Sequence, residues 1–247
     1  AGYERVSNGR TVVIFDCGAP PQSPYDIGAH AGLLSFEMSF AKQRIFVNCG
    51  SHTGDADWRN AIRGAAAHNT LTINHLDPCD IDLQTGVFSC PPSFVQHARH
   101  ECDKAYLLEG SHDGFLHKTG YEYSRKIYIS ADGYDIRGED TLTNANDLSL
   151  SFKKNQNSNG NVPTLACLRF HLHPLVTVSL INDKKEALLR IPGGTGWRFR
   201  HDGGSLTLEN SVYIENGEEV RKTKQLVITG QILDTVNHLK WAITKEG

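Results

Sequence analysis

Long apolar runs and a surplus of basic residues are both missing from this sequence of 247 residues. No stretch approaches the roughly 18–20 uninterrupted apolar residues that a membrane-spanning helix requires, and the first ten residues lack the apolar core of a signal peptide. Lys and Arg number 25 against 28 Asp and Glu, so the net charge is −3 rather than strongly positive. We therefore expect no membrane and no nucleic acid among the partners.

Methionine and closely spaced cysteines are also scarce. The only Met is Met38 and the sequence begins with Ala1, which predicts that the chain is a fragment of a longer protein. The six cysteines form no CxxC pair and no dense framework of the kind found in small secreted domains. We expect mostly buried or free thiols and leave open a disulfide between Cys79 and Cys90. Cysteine usage therefore does not indicate the redox compartment.

Several common catalytic motifs do not occur. The sequence has no GxSxG elbow, no glycine-rich phosphate-binding loop and no HExxH pair. These absences exclude the motif-based serine hydrolase, nucleotide-binding and zincin classes. Any chemistry must therefore be sought in residues that lie far apart in the sequence.

Short β-type segments fill the chain from Thr11–Cys17 through Ser124–Ser130 to Leu239–Thr244. They are rich in β-branched or aromatic residues and partly alternate between apolar and polar. Gly, Asn, Asp and Pro separate them at intervals typical of antiparallel sheets. We predict an all-β fold over residues 1–247, a single antiparallel β-sandwich of two packed sheets with at most one or two short helices.

Only one segment has a helical character. Trp58–Ala67 is preceded by Thr53 and Asp55 as candidate caps, although Gly64 lowers its helix propensity. The polar run Asn155–Asn161 instead predicts an exposed loop between two sheet-forming parts of the chain.

Histidines offer the main candidates for a metal site. Among the 12 of them, His30 and His68 precede predicted strands and have small neighbours, and Asn48 could add an oxygen ligand. Zinc accepts such a set with an open fourth position. His171 and His173 share one face of a strand and could also chelate a metal. Hydrogen-bonded structural histidines and an amphipathic strand explain the same patterns, so both interpretations stay open.

Charge and an aromatic ring concentrate around Trp58, Arg59 and Arg63. Arginine binds carboxylates and sulfates in a bidentate manner, and an exposed indole can stack on a sugar ring. The segment therefore predicts contacts with an acidic carbohydrate, with a solvated surface loop as the alternative.

Motifs along nearly the whole chain resemble one protein family. They are Ala29–Gly32, Leu34–Glu37, Val47–Gly50, Ala66–Leu71 and Arg169–Pro174. Through them the sequence resembles the C-terminal β-sheet domain of heparinase II/III-like polysaccharide lyases. The resemblance implies a parent protein that cleaves uronate-containing acidic polysaccharides, such as glycosaminoglycans, by β-elimination. It also implies an N-terminal α/α-toroid domain as partner, which is absent from this chain.

The resemblance assigns positions as well as a fold. His30 and His68 match the zinc-binding histidines of the family, Asn48 stands where the family has an aspartate ligand, and Gly28 stands at the cleft histidine. Losing the carboxylate should weaken the binding of Zn²⁺, and losing the imidazole removes a catalytic group. We therefore expect the chain to be inactive alone. The alternative is a non-catalytic carbohydrate-binding or scaffold domain. The family implies a periplasmic location, while a cytoplasmic one stays open.

Overall fold

The computed structural model describes residues 2–145 and 164–247, and the predicted loop Asn155–Asn161 lies outside them. The described residues form 18 strands, two short α-helices and one 3-10 helix, which confirms the all-β prediction. In chain order the elements are β1 (Tyr3–Asn8), β2 (Thr11–Asp16), β3 (Phe36–Phe40), β4 (Gln43–Phe46), α1 (Ala56–Ala61), η1 (Ala65–Ala67), β5 (Leu71–Ile73), β6 (Asp80–Ile81), β7 (Phe88–Cys90), β8 (Val95–Cys102), β9 (Ala105–His112), α2 (Leu116–Thr119), β10 (Tyr121–Ile129), β11 (Asp135–Asn144), β12 (Leu165–His171), β13 (Thr177–Ile181), β14 (Glu186–Arg190), β15 (Gly196–Asp202), β16 (Ser205–Glu215), β17 (Glu219–Gln231) and β18 (Val236–Lys245).

The strands form two layers. One layer is an eight-stranded sheet in the order β13-β14-β15-β18-β11-β10-β9-β8. The other holds two four-stranded sheets, in the orders β1-β2-β3-β4 and β16-β17-β12-β5. Strands β6 and β7 form a separate two-stranded sheet, and neighbouring strands in all these sheets run antiparallel.

Aromatic side chains join the two layers. Phe36 of β3 stacks on Trp241 of β18 with ring centroids 5.1 Å apart. Phe170 of β12 meets Phe199 of β15 at 4.9 Å, and Phe46 of β4 lies 6.3 Å from the same ring. All five rings are buried in one continuous core, so both four-stranded sheets pack on the eight-stranded sheet.

The two four-stranded sheets meet along a seam. The main-chain N–H of Val47, just after β4, donates to the carbonyl of His171 at the end of β12 at 3.0 Å. Phe46 and Leu172 form an isolated antiparallel bridge beside it. The segments that carry the predicted site residues lie at this seam.

The predicted helix Trp58–Ala67 is present but broken. It is divided into α1 and η1, because Gly64 adopts an extended conformation with φ −67° and ψ 157°. The main-chain N–H of Ala65 then donates to Asp77 Oδ1 at 2.7 Å. A tertiary contact therefore redirects the chain at the residue of lowest helix propensity.

Of the two candidate caps, Asp55 is the one used. Asp55 Oδ1 accepts a hydrogen bond from the main-chain N–H of Trp58 at 2.9 Å, as an N-cap does. Thr53 instead donates its hydroxyl to the carbonyl of Gly217 at 3.0 Å.

Two further sequence expectations concern cysteines and membranes. All six cysteines are free, so Cys79 and Cys90 do not form the disulfide that the sequence left open. Within the described residues no helix combines the length and the apolar character needed to cross a membrane.

Candidate functional site

The structure brings His30 and His68 into direct contact. Nδ1 of His30 lies 3.1 Å from Nε2 of His68, and the two rings stand perpendicular with centroids 5.1 Å apart. His30 comes from the connection between β2 and β3, and His68 follows η1 before β5. The pair therefore joins the two four-stranded sheets across their seam.

Both imidazoles are neutral at neutral pH. Burial lowers the pKa of His68 to about 3, and the adjacent His30 lowers it further. Burial also lowers the pKa of His30, and the charge of Arg63 acts in the same direction. A neutral imidazole offers one N–H donor and one lone pair, so the pair can hydrogen bond without any counter-charge.

Asn48 is engaged by the protein on both sides of its amide. Its Oδ1 accepts from the main-chain N–H of Asn69 at 2.9 Å, and its Nδ2 donates to Ser35 Oγ at 3.3 Å. Its own main-chain N–H donates to Glu37 Oε1 at 3.0 Å. The side chain thus fixes the loop that leads to His68 by hydrogen bonding.

These residues do not make up a zinc donor set. Two imidazole nitrogens 3.1 Å apart suit one Zn²⁺, because Zn–N bonds are about 2.0–2.1 Å long. The third position, however, holds the neutral Asn48, whose oxygen already accepts from Asn69. No group of three or more His, Cys, Asp or Glu side chains in residues 2–145 and 164–247 could hold a metal ion. The expected zinc ion stays a prediction, and the donor set present does not fit it.

Gly28, at the position where the resemblance implies a cleft histidine, has open space around its Cα atom. A Cβ atom placed on Gly28 would meet nothing within 4 Å. The backbone there has φ +86°, a left-handed conformation that favours glycine.

The histidine pair lines a cavity of about 610 Å³. Asn48, Tyr3 and Asp16 line it as well, and among the described residues no Lys or Arg lines it. Tyr3 and Asp16 are direct partners in the β1–β2 ladder. Burial raises the pKa of Asp16 to about 7, and this carboxyl in turn raises the pKa of Tyr3. Sequence reasoning missed both residues, because only the strand register brings them to the histidines.

The three residues predicted to contact a saccharide lie away from this cavity wall. Arg63 is only 3% exposed, and its guanidinium donates to the carbonyls of Ala29 and Gly86, both at 2.7 Å. Trp58 is half-buried against the small cluster around Ile62, and Arg59 is exposed. Their contact with a saccharide stays a prediction, and for Arg63 it would require these bonds to open.

His171 and His173 are not free to chelate an ion together. Nδ1 of His171 lies 2.7 Å from Ser211 Oγ, and its Nε2 lies 3.0 Å from the carbonyl of Ala66. The ring of His173 instead packs on Tyr213 with centroids 5.2 Å apart. His171 therefore serves to hold the η1 segment that leads to His68.

A buried arginine fixes the loops of the site to the opposite layer. Arg125 Nη1 donates to the carbonyls of Leu34 and Asn69, both at 2.6 Å, and Arg125 Nε donates to Asp140 Oδ1 at 2.7 Å. Trp241 Nε1 donates to the other oxygen of Asp140 at 2.9 Å. A signal for this cluster exists in the sequence, since Arg125 is in phase with the inward-facing apolar residues of β10.

A model of the family described as "Heparinase II/III-like, C-terminal" matches residues 1–242. The chain belongs to this family. Two solved heparinases share the fold of this heparinase II/III-like domain. The heparan sulfate lyase HepC from Pedobacter heparinus matches with a TM-score of 0.75 and 12% identity, over 99% of this chain and 35% of HepC. A heparinase III structure matches with a TM-score of 0.74 and 16% identity, over 99% of this chain and 35% of its own.

One curated relative is named for its localisation with FtsZ and not as a heparinase. FtsZ-localized protein C from Caulobacter vibrioides is 29% identical over 260 residues, which cover 99% of this chain. The heparinase II/III-like domain spans 42% of that relative's length and about a third of the solved heparinases.

Proposed function

We propose that this domain forms one wall of the polysaccharide cleft in a heparinase II/III-like protein. The whole protein cleaves uronate-containing acidic polysaccharides by β-elimination, and the chain alone has no turnover. The observation that carries the proposal is the contact between His30 and His68 at the wall of a cavity of about 610 Å³. A cavity of this size accommodates a short oligosaccharide segment, and the family membership supports the choice of substrate class.

The groups that β-elimination requires explain why this domain alone is not sufficient to cleave the polysaccharide. β-Elimination needs a base for the proton beside the uronate carboxylate, a group that neutralises this carboxylate and an acid for the leaving oxygen. The cavity wall offers two neutral imidazoles, Tyr3 and Asp16, but no cation, and Gly28 adds no imidazole. The carboxylate must therefore be neutralised by groups outside this cavity wall.

The test is the ultraviolet absorbance of unsaturated uronate with heparan sulfate, hyaluronan and alginate. We expect no rise with the chain alone and a rise with the longer protein that its gene encodes. His30→Ala in that protein should abolish the rise, while the exposed His117→Ala should not alter it. Turnover by the chain alone, or full activity of His30→Ala, would contradict the proposal.

A second candidate is a non-catalytic scaffold or carbohydrate-binding domain. It is favoured by Gly28 and Asn48, which stand at functional positions of the family, and by the relative named for its localisation with FtsZ. Co-sedimentation of the chain with FtsZ polymers tests the scaffold role. Binding to FtsZ, together with no cleavage of any of the three polysaccharides by the longer protein, would favour this candidate over the lyase.

A further inference from the structure

The hydrogen bonds at the histidine pair determine where each proton lies. Nδ1 of His68 is 2.9 Å from the carbonyl of Gly64, which can only accept, so this nitrogen carries the hydrogen. Nε2 of neutral His68 is then the bare acceptor. Because this acceptor faces Nδ1 of His30 at 3.1 Å, that nitrogen must be the donor. Nε2 of His30 is left with an unshared lone pair.

We propose that His30 and His68 form a metal-independent chain of hydrogen bonds that begins at the Gly64 carbonyl, here named the relay. The relay presents the lone pair of His30 Nε2 to a hydroxyl group of a saccharide. The ligand class rests on the proposed function, whereas the relay rests on the hydrogen bonds alone. Within the described residues no hydrogen bond to His30 Nε2 is found, although the ring lines the cavity.

The relay takes the place of the family's metal site. In the hydrogen-bonded pair the contact with Gly64 leaves one lone pair and one N–H between the facing nitrogens, whereas a metal ion needs a lone pair on both, so His30 would have to move its hydrogen to Nε2. Asn48 supplies no negative charge, and its amide is already bonded to Asn69 and Ser35. The neutral pair is stable in this buried position because each imidazole satisfies the other.

The cavity favours a ligand group that brings its own hydrogen. His30 Nε2 is an acceptor, the Asp16 carboxyl is a second acceptor when ionised, and no Lys or Arg of the described part of the chain lines the wall. An anionic carboxylate or sulfate would find no charge partner there, so the acidic groups of a polysaccharide must face away from this cavity wall. Sugar hydroxyls supply the required O–H donors.

The decisive measurement is the tautomeric state of the two rings by ¹⁵N NMR. Histidine-labelled chain, treated with EDTA at pH 7.5, should show His30 and His68 both protonated at Nδ1, with signals assigned through His30→Gln and His68→Gln. These variants serve only to assign the signals. Each must therefore fold well enough that its spectrum differs from that of the unaltered chain by the loss of one histidine's signals. Protonation of either ring at Nε2 would overturn the relay.

The addition of zinc is the second test, and it addresses metal independence. Added zinc should leave the melting temperature and the ring signals of the chain unchanged. Asn48→Asp, which restores the carboxylate, is the matched positive control and should be stabilised by zinc. Stabilisation of the unaltered chain by stoichiometric zinc would overturn metal independence.

A hyaluronan hexasaccharide is the probe for the ligand class. It should bind the EDTA-treated chain, and His30→Phe should weaken binding about tenfold, the effect of one neutral hydrogen bond. The exposed His117→Ala should bind like the parent. Equal affinity of His30→Phe would overturn the contact with the hydroxyl. Absence of hexasaccharide binding with the expected tautomers would instead contradict the proposed function and leave the relay intact.

Discussion

Asp16 is a carboxyl group placed in a cavity wall without a cation beside it. Burial raises its pKa from 3.8 to about 7, and a hydrogen bond from the main chain of Gly18 offsets only part of this effect. Its carboxylate in turn raises the pKa of the neighbouring Tyr3 and Cys17. Such a position costs stability at neutral pH, which is more often tolerated where a side chain contacts a ligand.

Replacing this carboxyl should stabilise the protein at high pH. The folded state holds the proton more tightly than the unfolded state, so stability falls as pH rises from about 4 to 7. Asp16→Asn should raise the free energy of unfolding by ~2–4 kcal/mol at pH 8 and by almost nothing at pH 4. Urea unfolding at both pH values measures this difference. The exposed Asp103→Asn is the control, and equal pH dependence of Asp16→Asn and the parent would contradict the argument.

Individual residues also show where sequence reasoning stops. The small neighbours of His30 and His68 predicted that a ligand could approach them, and the structure places the two rings in contact with each other. The same reasoning assigned Arg63 to a saccharide, although its guanidinium is buried and bound to main-chain carbonyls. An arginine in a polar segment has the same sequence signature in both roles, because the partners that decide between them are main-chain atoms of distant loops.

Strands β11 and β18 depend on a glycine at one point of contact. Gly138 pairs with Trp241, and a Cβ at Gly138 would lie 2.0–2.4 Å from three atoms of the indole ring. That ring also donates to Asp140 and stacks on Phe36, so it cannot move aside without breaking contacts between the layers. The absence of a side chain at Gly138 therefore allows the two layers to pack.

Adding one methyl group should measure the rigidity of this contact. Gly138→Ala should lower the free energy of unfolding by about 3 kcal/mol, since overpacking forces the indole and the backbone apart. The midpoint of urea unfolding reports the change. Gly54→Ala is the matched control, because its nearest neighbour would be 3.7 Å away, and it should change stability by less than about 0.5 kcal/mol. Similar midpoints for the two variants would show that the layers adjust freely.

The elements themselves were predicted with uneven success. The apolar alternation of β2 and β18 identified strands with one face in the core. The periodicity does not pick out β8, because it is an edge strand with mostly exposed side chains on both faces. The predicted helix was broken at Gly64 by a hydrogen bond to Asp77, a contact that lies beyond any local pattern.

At the scale of the whole molecule, several histidines are buried as neutral imidazoles. Burial lowers the pKa of His68 and His112 to about 3 and that of His171 to about 4. Because unfolded histidine titrates near pH 6.5, each ring contributes stability that is complete above pH 6.5 and lost as pH falls toward its folded value. Asp16 and Glu37, whose pKa values are raised, act in the opposite direction over part of this range.

His112 allows this acid sensitivity to be isolated. Its Nδ1 accepts from the main-chain N–H of Gly114 at 3.1 Å, and its buried Nε2 has no hydrogen-bond partner among residues 2–145 and 164–247. His112→Asn keeps an acceptor for Gly114 but cannot become charged. Between pH 6.5 and 4.5 the free energy of unfolding should fall by about 1.4 kcal/mol less per pH unit in the variant than in the parent. Chemical unfolding across this range measures the slope, and the exposed His117→Asn should keep the slope of the parent.

The sequence by itself determined the all-β class and the family, and it singled out the two histidines of the candidate site. These follow from side-chain alternation, turn residues and motifs, all of which are local in the chain. Only the tertiary structure decided that the two rings hydrogen bond to each other, that Tyr3 and Asp16 share their cavity, and that Arg125 fixes their loops from the opposite layer. Alternation specifies which face of a strand is buried, but strand register and layer packing specify which distant loops meet. These depend on contacts between residues far apart in the chain.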